Sequence, residues 1–183
     1  MTFDSHKALR GEKMQKSIHR YLSVVDKVNE WTGKSFGYVV LALTFMLLFE
    51  VISRYFFNRP TMWVSEVSQF LSGVYMLIVG GYVLLHNSHV RIDILWSRFS
   101  RRNQAIIDLF TSGFFFLFII SLLIEAGRRT WLSILALEVS PSVWRPPIWP
   151  VKILVVVAAL LLFLQGTAKF IRDLYTVRGV DIG

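Results

Sequence analysis

Four long apolar segments dominate the sequence and limit the folds that it can adopt. They cover residues 35–57, 63–85, 105–126 and 149–170. Each has about 22 residues, which as an α-helix would be about 33 Å long. This length crosses a hydrocarbon core of about 30 Å, where the backbone must satisfy its own hydrogen bonds. The sequence therefore predicts an all-α membrane protein with four transmembrane helices and no soluble catalytic domain.

Composition argues against several classes of function. Hydrophobic residues make up 54% of the 183 residues, and there is no cysteine, which excludes disulfides, thiolate metal sites and cysteine nucleophiles. The net charge of +8 comes from Lys and Arg that flank the apolar segments, so we do not expect nucleic-acid binding. No catalytic triad, phosphate loop or paired acid site is recognisable. We expect no enzymatic activity and no cofactor in this chain.

The distribution of Lys and Arg predicts the orientation of the chain. Seven lie in the N-terminal segment, four in the connector after the second span and three in the C-terminal tail, against six on the other side. The positive-inside rule then places both termini in the cytoplasm. An even number of spans requires both termini on one side, which agrees. We therefore predict a multi-pass protein of a bacterial inner membrane.

The sequence divides into a segment at residues 1–34, a transmembrane domain at 35–170 and a tail at 171–183. In the first segment apolar residues recur at three- and four-residue steps, namely Met14, Ile18, Tyr21, Leu22, Val25, Val28 and Trp31. This pattern predicts an amphipathic helix in the cytoplasmic interface, attracted by anionic phospholipid. It either anchors the chain or braces a partner subunit. A second short amphipathic piece is predicted at residues 90–99.

Three carboxylates near span ends are candidates for function, because charge inside a bilayer is costly. Glu50 lies four residues before Arg54, so both share a helix face, and Glu66 begins the second span at the same depth. One interpretation is that Arg54 lies between the two carboxylates and joins the first two helices. A proton-coupling role for Glu50 is the alternative. Glu125 has Arg129 four residues later and is expected to form a surface pair.

The second span carries a stripe of small and hydrogen-bonding residues, which permit close approach of helices in lipid. We predict that it is the internal packing face, and it comprises Ser65, Ser68, Gln69, Ser72, Gly73 and Gly80. The third and fourth spans are apolar all round, and we expect them to face lipid or a large partner. His86 and His89 lie close together but have no third metal ligand, so we expect no metal site.

Short motifs follow one another across the first hairpin and the end of the second span. They are Arg54–Pro60 (RYFFNRP), Trp63–Glu66 (WVSE), Gly80–Gly81 and His89–Asp93 (HVRID). Their order and spacing resemble the small, Q-type membrane subunit of tripartite ATP-independent periplasmic (TRAP) transporters, over about residues 35–170. Many members of that family carry a second acidic residue beside the glutamate, where this sequence has Ser65 and Val67.

The resemblance implies an accessory role beside two partners. A large multispan membrane subunit would carry the substrate and sodium sites, and a periplasmic binding protein would deliver an organic acid. This chain would enlarge the fixed scaffold for the moving part of the large subunit, with Arg54, Glu66, His89 and Asp93 as structural residues. Its C-terminal motifs resemble a branch associated with 2-oxo acids, mannitol or chloroaromatic acids.

Two other functions remain open from the sequence. A small proton-coupled exporter of the multidrug type would use Glu50, and a redox membrane anchor would hold haem or quinone between the helices. Secondary transporters usually build substrate sites from broken helices in repeated halves. The spans show neither repeats nor interior proline, which argues against a substrate pathway within this chain alone.

Overall fold

The described residues of the chain form long helices. The structure is a computed structural model that describes residues 2–86 and 100–177. Within those ranges all the named elements are helices, and one isolated bridge joins Val139 to Pro147. The helices are α1 (Thr2–Phe56), α2 (Met62–Leu85), α3 (Arg101–Leu135) and α4 (Trp149–Val177). Each contains a segment long and apolar enough to cross a membrane, which confirms the predicted all-α class with four spanning helices.

The turn between α1 and α2 lies where the sequence predicts it. α1 ends at Phe56, Asn58 adopts a left-handed φ of 52°, and Pro60 cannot continue a helix. The N–H of Arg59 donates to the carbonyl of Ser53 over 3.0 Å, which satisfies one of the last carbonyls of α1. The chain therefore reverses direction within five residues.

The connection between α3 and α4 is folded back on itself. Leu137 has a left-handed φ of 45°, and the next N–H, of Glu138, donates to the carbonyl of Ser133 over 3.0 Å. This is the arrangement that commonly ends a helix, here without the usual glycine. Further on, the N–H of Ser140 donates to the carbonyl of Pro146 over 2.8 Å. α3 itself ends at Leu135, nine residues beyond the predicted end of its span at residue 126.

A separate N-terminal amphipathic helix is not confirmed. α1 runs from Thr2 to Phe56 as one helix of 55 residues, about 82 Å long at 1.5 Å per residue. Its first half packs on the C-terminal half of α4, where Leu22 and Val25 contact Ala168. Part of the apolar face predicted for residues 1–34 therefore packs within the protein's own fold, namely Ile18, Tyr21, Leu22 and Val25. Val28 and Trp31, predicted on the same face, are exposed.

α4 is the central helix of the bundle. It packs against α1, α2 and α3, α1 also packs against α2, and the extensive contacts of α3 are with α4. Small side chains on α4, including Ala158, Ala159 and Ala168, are fully buried and allow close approach. α4 therefore packs mainly within the bundle and keeps only a narrow exposed face, which includes Leu154, Val157 and Leu160, whereas α3 keeps the broad exposed face that was expected of both spans.

α1 packs against this core along a seam with seven-residue steps. Leu22, Asn29, Leu43 and Glu50 are buried, and Phe36, which completes the series, packs against a cluster of α2 and α4 side chains. A repeat of seven residues keeps one face of a helix turned toward its neighbour through a left-handed supercoil. One face of α1 therefore packs against the core of the protein's own bundle.

Two polar layers at the ends of an apolar bundle form the candidate functional site

Polar contacts between helices concentrate in two layers. The terminus-side layer lies where the first half of α1 meets the end of α4, and the connection-side layer lies near the two turns. Along α4 the distance from Lys152 to Lys169 is about 26 Å, and along α1 the distance from Asp26 to Glu50 is about 36 Å. These distances bracket a hydrocarbon core of about 30 Å. The two layers therefore have the spacing of the two faces of a membrane.

Glu50 holds the turn between α1 and α2. Its Oε1 accepts hydrogen bonds from Arg54 Nη2 at 2.6 Å and from Arg54 Nε at 3.2 Å. Its Oε2 accepts from the N–H of Thr61 at 2.9 Å and from the Thr61 hydroxyl. Thr61 is the N-cap residue of α2 and makes no capping bond with its own side chain. The buried carboxylate thus joins the end of α1 to the start of α2.

Glu66 binds a different element from the one expected. Its Oε1 accepts a hydrogen bond of 3.1 Å from the buried hydroxyl of Ser140, in the connection between α3 and α4. No hydrogen bond or ion pair joins it to Arg54 in the described part of the chain, so the predicted bridge between the two carboxylates is not found. Glu66 Oε2 is buried and has no hydrogen-bond partner among the described residues. Ser140 has no signal in the sequence that points to this contact.

Two further carboxylates of the connection side, Glu125 and Glu138, form ion pairs. Glu125 accepts from Arg129 at 2.6 Å and from Arg128 at 3.3 Å, and the side chains are exposed, which confirms the expected surface pair. Glu138 pairs with Lys152 across the connection between α3 and α4. The hydrogen bond from Lys152 lowers the pKa of Glu138 below its usual value.

The terminus-side layer escaped the sequence analysis. Asp26 of α1 accepts hydrogen bonds from Gln165 Nε2 at 3.1 Å and from Arg172, both on α4. Lys169 of α4 donates to Asp108 of α3 and, over 2.7 Å, to Asp173. Three helices therefore meet through charged contacts. The four-residue spacing of Lys169 and Asp173 beside an apolar segment was the available signal.

Glycines at helix crossings explain how closely the helices approach. A Cβ at Gly33 would lie 2.5 Å from the side chain of Tyr82, a Cβ at Gly81 would collide with Asn29, and a Cβ at Gly166 would collide with Phe115. Only backbone without a side chain fits at these crossings. None of the three belongs to the stripe that the sequence analysis selected on the second span.

The predicted stripe on α2 is only in part an internal packing face. Ser68 is buried, and a Cβ at Gly80 would lie 3.8 Å from Leu162, in ordinary contact. Ser72 is half-buried and Gly73 is exposed, with nothing within 4 Å of an added Cβ. The predicted internal packing is therefore not found at Gly73 within the described residues, and Ser72 takes part in it only to the extent that it is half-buried.

Two predicted site residues, His89 and Asp93, lie outside the described residues, as does the amphipathic piece predicted at 90–99. His86 places Nδ1 3.1 Å from the carbonyl of Tyr82, one turn earlier in α2. Among the residues that the structure describes, no group of three or more His, Asp or Glu side chains is arranged to hold a metal ion. The contacts seen here hold helices together.

Comparison with known proteins identifies the family. Curated proteins give no match. Residues 43–176 match the family described as "Tripartite ATP-independent periplasmic transporters, DctQ component", a stretch that contains the connection-side layer, all of α2 and α3 and nearly all of α4. The four long apolar helices and the order of the motifs agree with this match. The chain therefore belongs to the DctQ family, the small membrane component of tripartite ATP-independent periplasmic transporters.

Proposed function

We propose that this chain is the accessory scaffold subunit of a TRAP transporter. It pairs with the large membrane subunit and supports sodium-driven uptake of an organic acid that a periplasmic binding protein delivers. In this proposal sodium and substrate bind the large subunit, and the small subunit has no cofactor. The family membership supports this assignment.

One structural observation carries the proposal. The interhelical polar groups Glu50, Asp26 and Lys169 lie at the two ends of the bundle, and each is bound to a neighbouring helix or turn. Between these ends α2 and α4 pack through an apolar cluster of Val74, Ile78 and Ala158. A substrate route needs polar groups or broken helices near the middle of the membrane. The described helices run unbroken, which favours adhesion over transport.

The exporter alternative requires Glu50 to exchange protons or substrate. Arg54 and Thr61 occupy both oxygens of this carboxylate, and it lies at the end of the span beside a turn rather than near its middle. These contacts favour a structural clasp. For a haem anchor, His19 and His86 are exposed on the outside of the bundle, which does not favour an axial role.

The predicted orientation gives the connection-side layer a role in the complex. With both termini in the cytoplasm, as the Lys and Arg distribution predicts, the connection-side layer faces the periplasm. Arg59 and Arg145 lie in the two connections there, are exposed, and have no ion-pair partner in the described residues. In the proposal they are available to acidic groups on the periplasmic binding protein.

Purification in mild detergent tests the proposal. The tagged chain is isolated from its native membrane, and the co-purifying proteins are identified and quantified by mass spectrometry. We expect a large multispan subunit at a one-to-one ratio. Isolation of the chain without such a subunit, together with solute movement by the chain alone in liposomes, would contradict the scaffold function.

A further inference from the structure

α1 carries an exposed apolar series in addition to its buried seam. We name the series Val24, Trp31, Tyr38, Phe45 and Ile52 the outer stripe. Its members are large apolar or aromatic residues at seven-residue steps, and their exposed fractions lie between 46% and 74%. Neighbouring exposed residues widen the same surface, namely Val28, Leu41, Leu48, Phe49, Tyr55 and Phe56.

The outer stripe lies on the side of α1 opposite the buried seam. Each of its members follows a seam position by two residues, as Phe45 follows Leu43, and two residues correspond to a rotation of about 200° around an α-helix. One side of α1 therefore packs within the protein's own bundle. The opposite side carries an apolar residue at the same seven-residue steps and is exposed in the described structure. A seven-residue apolar repeat kept over five positions is suited to packing along another helix.

The length of the outer stripe favours a protein partner over lipid as its cover. Val24 and Ile52 are 28 positions apart, about 42 Å along a helix, whereas the hydrocarbon core is about 30 Å thick. Asp26, in the terminus-side charged layer, lies beside Val24 and before Val28. Lipid tails do not reach the level of these charges, so the terminus-side end of the stripe needs an apolar cover other than lipid.

The exposed face of α3 provides the contrast. It has a comparable series at seven-residue steps, Phe110, Leu117, Ile124 and Trp131, all exposed. Phe110 and Trp131 are 21 positions apart, about 32 Å, which matches the hydrocarbon core. Lipid alone can cover the exposed series on α3. This series is therefore a matched control for the outer stripe of α1.

We propose that the outer stripe of α1 binds a long transmembrane helix of the large membrane subunit, a helix that extends beyond the bilayer on the terminus side. The proposal rests on the function proposed above and specifies the face of the chain that the partner contacts. It implies that α1 lies between the protein's own bundle and the partner, and that α3 faces lipid.

Site-specific cross-linking tests this assignment, and the absence of cysteine from the chain simplifies it. Single cysteines replace Trp31 or Phe45 in α1, and Leu117 or Ile124 in α3, and each carries a maleimide photo-cross-linker in the native complex. We expect a product of this chain with the large subunit from both α1 positions and none from the α3 positions. A product of two copies of this chain, no protein product from α1, or a large-subunit product from α3 alone would overturn the assignment.

A pair of double variants gives an independent measurement. Replacing Trp31 and Phe45 together by Ala should lower the amount of co-purified large subunit about tenfold, the order of loss typical of interface anchors. Replacing Leu117 and Ile124 together by Ala should leave it unchanged. If the unaltered chain captures no large subunit, the proposed function fails. If it does, and the two pairs behave alike, only the choice of face fails.

Discussion

Replacing Glu50 by Ala should separate the first two helices at the connection side. Glu50 is 6% exposed, and loss of its carboxylate leaves the N–H and the hydroxyl of Thr61 without their acceptor. A hydrogen bond to a charged group contributes about 1.5–3 kcal/mol. The ion pair with Arg54 adds at most about 1 kcal/mol, because that side chain is 53% exposed and solvent screens it. For two such hydrogen bonds and the ion pair we expect a total loss of about 3–7 kcal/mol.

The apparent unfolding temperature of the purified protein in detergent, followed by tryptophan fluorescence, measures this loss. A loss of this size corresponds to a decrease on the order of 10 °C. Glu50→Gln keeps an acceptor for Thr61 but removes the charge, so we expect an intermediate decrease. Glu125→Ala is the matched control, because it removes an exposed ion pair within one helix, and we expect no measurable change. Equal effects of Glu50→Ala and Glu125→Ala would refute the reasoning.

Three further predictions concern packing, the terminus-side layer and pH. Gly166→Ala should push a methyl group into the facing phenylalanine ring and destabilise the protein by about 1–3 kcal/mol, whereas Gly73→Ala, in open space, should not; thermal unfolding measures both. Asp26→Asn should weaken the attachment of α1 to α4 and raise amide hydrogen exchange in the first half of α1, and unchanged exchange there would contradict this contact. Because the folded-state pKa of Glu138 is lowered from 4.5, its pair with lysine stabilises the protein above that pH and is lost as pH falls through the lowered value. The unfolding temperature should therefore fall more steeply in acid for the wild type than for Glu138→Gln.

Features set by local chemistry could be predicted from the sequence. The four apolar segments had to become helices because a bilayer offers no partner for free backbone groups. The first turn follows from the proline at position 60, and α2 begins within one residue of its predicted start. The pairing of Glu50 with Arg54 follows from their spacing of four residues on one helix.

Features that depend on the packing of distant segments could not be predicted. The alanines that make α4 central have the same hydropathy signal as residues that face lipid, so composition does not distinguish the two environments. Ser140 reaches Glu66 only because the connection folds back, and Asp26 finds Arg172 across 146 positions of sequence. Period and spacing describe one helix at a time and carry no information about which helix is its neighbour.

The helix boundary at residue 34 was a further limit. The sequence predicts a boundary there because the amphipathic pattern of residues 1–34 gives way to the first long apolar segment. The segment contains no proline, and the small polar residues Thr32, Gly33 and Ser35 do not end the helix, because α1 runs through them. The change from water or interface to hydrocarbon need not interrupt the backbone, and α1 continues through it.

The central claim is that this chain supplies adhesion between helices and no polar route across the membrane. The most direct test is the reaction of single cysteines with a membrane-impermeant thiol reagent in the intact complex. Ile78→Cys and Ala158→Cys lie in the buried apolar cluster, and Arg145→Cys in the exposed connection is the positive control. We expect rapid labelling at position 145 and none at positions 78 and 158. Labelling of all three at similar rates would reveal water inside the bundle and contradict this claim.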